Sequence, residues 1–417
     1  MLNHNKILVI NAGSSSIKFQ VFRIDETKHQ PTFTILGKGL VERIGIKDSN
    51  FIIEVANGND FTKHEVVQDI KDHVAGAQAV IAGLIKYQVI ANFDDITRIG
   101  HRMVHGGQKF NSSMVIDKTV VSGIDSCIPL APLHNPPALK GLSAFQKLIP
   151  HAHHVAVFDT SFHTTIPQEK FLYSVPYEWY TDHEVRRYGF HGISYRYILE
   201  KLAIVMNKPQ TKVNAIVCHL GNGASICAIK DGKSYNTSMG LTPLDGLIMG
   251  SRSGIIDPSI HNYMCDVKKD ATIASVTNDL NKASGLLGIS QHSSDLRDVI
   301  AASEDKNHPK YIQSQLAIKM FVQRIANYIV QYANDLQNNI DALVFTAGIG
   351  ENSFIIRDLI INEIKILTLK LVDSKNRDKY DDFLLISDKQ SQFPIYKIKT
   401  NEEIIICQDT YNLLISI

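Results

Sequence analysis

Short apolar runs separated by turn-forming residues set the pattern of the chain. Positions 7–10 are apolar, 11–16 read Asn-Ala-Gly-Ser-Ser-Ser, and 17–22 are apolar and β-prone again, so the opening predicts strand, turn, strand. Over 69–88 the apolar residues Ile70, Val74, Ala77, Ile81 and Leu84 recur every three or four positions, the spacing of a helix face. Short apolar strands bounded by turn signals follow at 152–158, 213–219 and 342–346. The longest helical pattern runs over 310–336, with Ile312, Leu316, Met320, Phe321, Ile325, Ile329 and Tyr332 on one stripe and Pro309 suited to the first turn. The charge-dense stretch 373–382 reads as a surface loop. Strand-then-helix alternation in both halves argues for an α/β fold.

At 417 residues the prior is two or three domains, and a boundary is expected just after Asp159, where a strand gives way to a polar, Pro-containing segment. With 43 basic and 42 acidic residues the net charge is +1, so no broad basic field exists to attract nucleic acid or an anionic membrane. No apolar stretch approaches the ~20 residues of a membrane span. Residues 1–6 are polar, and the run 7–10 is too short for a signal sequence. The five cysteines include no Cys-x-x-Cys pair, which points to reduced thiols and a cytoplasmic protein.

Several motifs carry nothing. His151, His153 and His154 lack acidic or Cys partners at ligand spacing and read as a solvated turn before a strand. Asp231-Gly-Lys-Ser resembles the end of a phosphate-binding loop, but Cys227 stands where its first glycine belongs. No Gly-x-Gly-x-x-Gly follows a strand, so a dinucleotide fold has no support.

Other turns form a set. The hairpin at 9–18 offers hydroxyls, backbone N–H groups and Lys18, a suitable cradle for phosphate oxygens. A second strand–turn–strand lies at 218–225, where Gly221 and Gly223 allow close backbone approach. A third turn, at 345–353, runs from a strand into a helix and suits a nucleotide. Arg102, His191 and Arg252 each sit on Gly-flanked turns, as befits charge stabilisation of a transferring phosphoryl group. Asp159, at the carboxyl end of a strand, is placed for metal or proton work, or as a helix cap.

The ordered motifs NAGSSSIK (11–18), GHRMVHGG (100–107), PLAPLHNPP (129–137), VFDTSFH (157–163), RYGFHGIS (187–194), HLGNGAS (219–225), TSMGLTPLDGL (237–247), SGLLGIS (284–290), SSDLRD (293–298), FTAGIGENS (345–353) and TNEE (400–403) span nearly the whole chain. Together they make it resemble the acetate kinase family, within the superfamily of acetate and sugar kinases, heat-shock chaperones and actin. The resemblance implies two actin-like (ribonuclease H-like) α/β domains with an active-site cleft between them. Their expected limits are 1–159, rejoined by a C-terminal helix at 400–417, and 160–399. It implies reversible phosphoryl transfer from ATP to acetate, giving ADP and acetyl phosphate. It also implies Mg2+, with Mn2+ as an alternative, and a homodimer.

The resemblance carries roles to particular positions. Asn11 and Glu402 match the metal-associated residues. Ser14, Ser16 and Lys18 match the first phosphate hairpin, and His219, Leu220, Gly221, Asn222 and Gly223 the second. Asp295, Leu296 and Arg297, with Gly348, Ile349, Gly350, Glu351 and Asn352, match the nucleotide site. Arg102 matches the residue that holds the carboxyl or phosphoryl group, Asp159 the catalytic acidic residue, and His191 and Arg252 the transition-state stabilisers. Val104, Leu133, Phe190 and Pro243 match an apolar pocket for the acyl methyl group. The chain departs from the family pattern at Ile255, where a carboxylate is usual, and at Gln291-His292. Two other readings stay open: a propionate kinase, and an actin-like ATP switch that transfers nothing.

Overall fold

The computed structural model describes residues 6–27, 31–58 and 60–415; the polar start read from the sequence lies, up to residue 5, outside them. The chain divides into two compact units, one built from Met1–Ser161 with Asn401–Ile417, the other from Phe162–Thr400.

The first unit holds β1 (Lys6–Ala12), β2 (Ser16–Asp25), β3 (Thr32–Glu42), β4 (Ser49–Asn57), β5 (Asp60–Gln68), β6 (Arg98–Met103), β7 (Met114–Val115) and β8 (His153–Phe158). They form one sheet in the order β5-β4-β3-β2-β1-β6-β8-β7. β1 pairs antiparallel with β2 but parallel with β6, and β6 is parallel to β8. The three parallel strands therefore present their carboxyl ends side by side, the usual place for a site in open α/β sheets. Leu8, Ile10, Phe19, Phe51, Leu84 and Phe145 are the heart of a core between sheet and helices. Gly83 is needed there, because a Cβ would stand 2.2 Å from the Phe51 ring.

The second unit holds β9 (Ala215–Leu220), β10 (Ala224–Lys230), β11 (Lys233–Thr237), β12 (Ala342–Thr346), β13 (Phe383–Leu385) and β14 (Ile395–Ile398), in the order β11-β10-β9-β12-β14-β13. The central arrangement repeats that of the first unit: β9 is antiparallel to β10 and parallel to β12. Tyr195, Leu199, Val217, Ile229, Val344 and Ile398 pack on one another in its core.

The structure corrects several expectations. The first predicted helix is His73–Lys86, capped by the Asp72 carboxylate accepting from Ala75 N at 2.8 Å. That start fixes the buried face on Ala77, Val80, Ile81 and Leu84, and Val74 is left exposed. The long helix is Tyr311–Asp335, and Pro309 precedes its cap, Lys310. Its buried row holds Phe321, Ile325, Ile329 and Tyr332, as expected, but Ile312, Leu316 and Met320 are exposed. Successive steps of four drift off a 3.6-residue period, and neighbours such as 320 and 321 point about 100° apart. Within 373–382, Asp373–Arg377 is a short helix with Asn376 buried. His154 is no solvated turn residue: it lies buried in β8, with Nδ1 2.9 Å from Nε2 of buried His101. Asp231 and Gly232, both with positive φ, simply turn the β10–β11 hairpin.

Candidate active site

In the first unit, four of the proposed residues meet. Arg102 lies within β6, one residue from its end, and not on the turn expected from its flanking glycines; it donates from Nε to Asp159 Oδ1 at 2.9 Å and from Nη2 to Oδ2 at 2.5 Å. Its Nη1 reaches Asn11 Oδ1 of β1 at 3.4 Å, and Glu402 Oε2 lies 3.9 Å from Nε. Asp159 follows β8, and its N–H continues the ladder to Met103 O at 2.9 Å. Glu402 opens the helix Glu402–Leu414, where Asn401 caps Ile404 N. Burial opposes the charge on Arg102, but Asp159 and Glu402 outweigh it and push its pKa above the ordinary value. Burial lifts Glu402 to about 7; Arg102 opposes this, while Asp159 and Glu403 add to it.

The β1–β2 turn holds Ser14, exposed, and half-buried Ser16 opens β2. It is braced by Gly13 N donating to Ser16 O at 2.8 Å and by His73 Nε2, 2.7 Å from Gly13 O. Lys18 forms an ion pair with Glu403, a residue to which the sequence reading gave no role. β6 ends at Met103, so Val104 lies just beyond the strand rather than on it. There the chain is drawn away by His105 N donating to the buried Asn135 side chain at 3.2 Å. Val104 is half-buried, and Leu133 is 49% exposed before the helix Asn135–Leu148.

In the second unit the convergence point is Gly223, at the start of β10. A Cβ there would lie 3.6 Å from Arg252 Nη1 and 3.6 Å from His191 Nε2. His191 has positive φ and precedes the helix Gly192–Val205. Its ring stacks on His219 at 4.1 Å, and its Nδ1 lies 2.8 Å from Ser225 Oγ. Ser225 also meets Tyr195 Oη at 2.5 Å, while His219 Nδ1 is 2.9 Å from Ser194 Oγ, itself 2.7 Å from Thr400 Oγ1. Ser225 and Ser194 thus set both imidazoles; the sequence shows them only as the last residues of HLGNGAS and RYGFHGIS. Arg252 donates from Nη1 to Pro243 O at 3.2 Å, and burial lowers its pKa. Phe190 and Pro243 are buried.

The β9–β10 turn carries Leu220, Gly221 and Asn222, with Gly221 N bonded to Gly223 O at 3.2 Å. At the end of β12 the chain enters the helix Ala347–Asn352, which holds Gly348, Ile349, Gly350 and Glu351. Glu351 Oε1 accepts from Ala347 N at 2.9 Å and Thr400 N at 3.0 Å, and burial raises its pKa. Asp295 caps the helix Leu296–Glu304 and pairs with Arg297, whose side chain is 89% exposed; that partner lowers the Asp295 pKa. The departure at Ile255 leaves its turn intact, since Ile255 N bonds Gly246 O at 3.1 Å and the side chain faces outward. Gln291, with positive φ, ends the helix Gly285–Ser290 and accepts from Lys310 Nζ at 2.8 Å.

The Acetokinase family model matches residues 6–408. The chain belongs to the acetokinase family. It is 49% identical over 408 residues to an acetate kinase of Mycoplasma mycoides subsp. mycoides SC, covering 98% of this chain and 100% of that one. An acetate kinase of Carboxydothermus hydrogenoformans is 43% identical over 416 residues, covering 99% and 100%. Among solved structures, Porphyromonas gingivalis acetate kinase matches with TM-score 0.86 and 36% identity over 98% of this chain and 100% of that one. A propionate kinase from Francisella tularensis matches with TM-score 0.87 and 40% identity over 98% and 99%. The α/β fold with two actin-like domains is that of the family.

Kinases of this family generally need a divalent metal. Among the described residues no three His, Cys, Asp or Glu side chains cluster as a metal cage. Asn11 and Glu402, the positions that the resemblance offers for it, would supply oxygen donors only, and few of them, which fits a hard cation that keeps most of its water. No helix among the described residues is long and apolar enough to cross a membrane.

Proposed function

We propose that this acetokinase transfers the γ-phosphoryl group of ATP directly to acetate, reversibly, giving ADP and acetyl phosphate. The observation that carries the reading is the approach of Arg252 and His191 to Gly223 of a phosphate hairpin. Acetate is ionised at pH 7, so no base is required to make the nucleophile. The difficulty is bringing one anion to another, and cations with fixed N–H donors answer it.

In this reading, Arg252 and His191 meet the charge spread over the transferring oxygens. Arg102 spends two N–H groups on Asp159 and one on Asn11, leaving two of its five for the acyl carboxylate or phosphoryl group. Asp159 holds that guanidinium in place. Ser14, Ser16 and Lys18, with residues 219–223, cradle phosphates; Asp295–Arg297 and Gly348–Asn352 take the nucleoside. Val104, Leu133, Phe190 and Pro243 line the methyl pocket. Mg2+, near Asn11 and Glu402, would neutralise the phosphate charge. The domain limits 1–159 and 160–399, with 400–417 returning to the first domain, belong to the same reading, and the compact units ending at Ser161 and Thr400 support them. A homodimer, for which the exposed row Ile312, Leu316 and Met320 offers an apolar surface, and a cytoplasmic location belong to the same reading.

The propionate kinase relative favours propionate as a second acceptor. One extra methylene changes selectivity by only ~1–3 kcal/mol. Steady-state assays with acetate, propionate and butyrate, trapping acyl phosphate as the hydroxamate, test the reading. Acetate is expected to give the highest kcat/KM. A higher value for propionate reassigns the substrate, and ADP release without any carboxylate dependence returns the chain to an ATP switch.

A further inference from the structure

The segment SGLLGIS (284–290) carries none of the proposed site residues. The structure places its first residues against the turn that carries Arg252. That turn is closed by Met249 N donating to Arg252 O at 3.1 Å. Three backbone hydrogen bonds come from the motif: Ser284 N to Ser251 O at 3.0 Å, Leu286 N to Met249 O at 2.9 Å, and Leu287 N to Gly250 O at 2.9 Å. Gly285 lies between them with φ +62, and a Cβ on it would stand 2.2 Å from Met249 O, 2.7 Å from Arg252 O and 3.0 Å from Arg252 N. Only a glycine both adopts this backbone and permits that approach.

The end of the helix Ile273–Lys282 completes the seat. Ser251 Oγ donates to Asn281 O at 3.0 Å, Ser253 N to Leu280 O at 3.0 Å, and Ser284 Oγ to Asp279 O at 2.9 Å. On the opposite side Gly250 N donates to Asn222 O at 3.1 Å, and a Cβ at 250 would stand 1.9 Å from Asn222 Oδ1. The arginine turn is therefore wedged between the phosphate hairpin and the 284–287 backbone. Almost every bond that locates it is made by main chain, and the Arg252 side chain itself makes few.

We infer that Gly285 and Ser251 are positioning residues for phosphoryl transfer, fixing the Arg252 backbone so that its guanidinium reaches the Gly223 hairpin. The inference rests on the reading of Arg252 as the cation that meets the transferring group. A methyl at 285 has to push the Met249 carbonyl back by roughly 1 Å to reach van der Waals distance, and a displacement of that size is worth about 10²-fold in rate.

The experiment is a double-mutant cycle in the intact enzyme, with ATP KM, kcat and thermal melting read for each variant. Gly285→Ala is expected to lower kcat about 10- to 100-fold with ATP KM within about twofold, because the phosphate hairpin keeps its own bonds. Ser251→Ala is expected to lower kcat about 3- to 10-fold, and Ser251→Thr, which keeps the hydroxyl, to restore it. In an Arg252→Ala background both substitutions should cost less than about threefold further, since the group they position is gone. If Gly285→Ala fails to fold, the Ser251 pair reads the same seat. If Arg252→Ala alone leaves kcat within threefold, the reading of Arg252 falls and this inference with it. If Arg252→Ala is severe but Gly285→Ala and Ser251→Ala are silent, or cost as much in its absence as in its presence, the inference alone is overturned.

Discussion

The two units place arginines on similar scaffolds in opposite ways. Each has an antiparallel hairpin beside a parallel strand, β2-β1-β6 in one and β10-β9-β12 in the other. Arg102 is held by its side chain, clamped by a buried carboxylate at two points. Arg252 is held through its backbone, and its guanidinium finds one carbonyl at 3.2 Å and no acidic partner among the described residues. The first arginine is one half of an ion pair with a buried carboxylate. The second lowers its own pKa by burial and keeps its charge available for something else. A guanidinium without a resident counter-ion can give its full attraction to charge that develops during transfer.

The sharpest way to break this contrast is to remove each arginine. Arg102→Ala and Arg252→Ala should both lower kcat about 10²–10⁴-fold. Only Arg102→Ala strands a buried carboxylate, which costs about 3–5 kcal/mol of stability. Denaturant titration should therefore separate the pair where kinetics does not. Equal loss of stability in Arg252→Ala would dissolve the distinction.

The second difference is acid sensitivity. Burial lowers His154 to about 4, and lowers His101 well below its ordinary value. Both must stay neutral in the folded state, whereas the unfolded chain takes up protons below about pH 6.5. The unfolded state then binds more protons, so this contribution to stability is present above that pH and is lost as pH falls towards 4. For His154 it amounts to at most ~3 kcal/mol. His154→Gln should flatten the dependence of the denaturation midpoint on pH between 6.5 and 4.5. An unchanged slope would mean that the pair titrates normally.

Smaller effects test the hairpins and the acyl pocket. Lys18→Ala removes a cation already engaged by Glu403, so ATP KM should rise only about 3- to 10-fold with kcat nearly kept. A collapse of kcat would make Lys18 a partner of the transferring group. Val104→Ala should improve kcat/KM for propionate relative to acetate by a few-fold, the ~0.8 kcal/mol of one buried methylene. A constant ratio would remove Val104 from the acyl pocket.

What could be read from the sequence was the position of turns. Gly and Ser after an apolar run mark where a strand stops: the turns at 13–15 and 221–223 fall within the expected segments, and after Thr346 the chain passes straight from strand into the helix Ala347–Asn352. Faces were harder: Ile312, Leu316 and Met320 looked like Phe321 and Ile325 because apolar spacing does not say which row meets the core. Partners across the fold were hardest. Nothing near Lys18 signals Glu403, nothing near His191 signals that Ser225 bonds its Nδ1, and His154 hides because its partner sits on another strand. Such pairings arise only when sheets align distant segments.

The helix Glu402–Leu414 packs on β6 so tightly that a Cβ at Gly100 would meet Thr410 Oγ1 at 2.4 Å and Ile406 Cγ2 at 2.7 Å. This gives the chain an order of birth. β6 leaves the ribosome about 300 residues before the helix that covers it. At about 5–20 residues per second, the 162–400 segment takes roughly 10–50 s to emerge. The later unit, continuous in sequence, has all its parts first, while the earlier one waits with the apolar back of β6 uncovered. A nascent chain is expected to carry that strand uncovered until residues 402–414 emerge, and a chain stopped before residue 402 to keep it open.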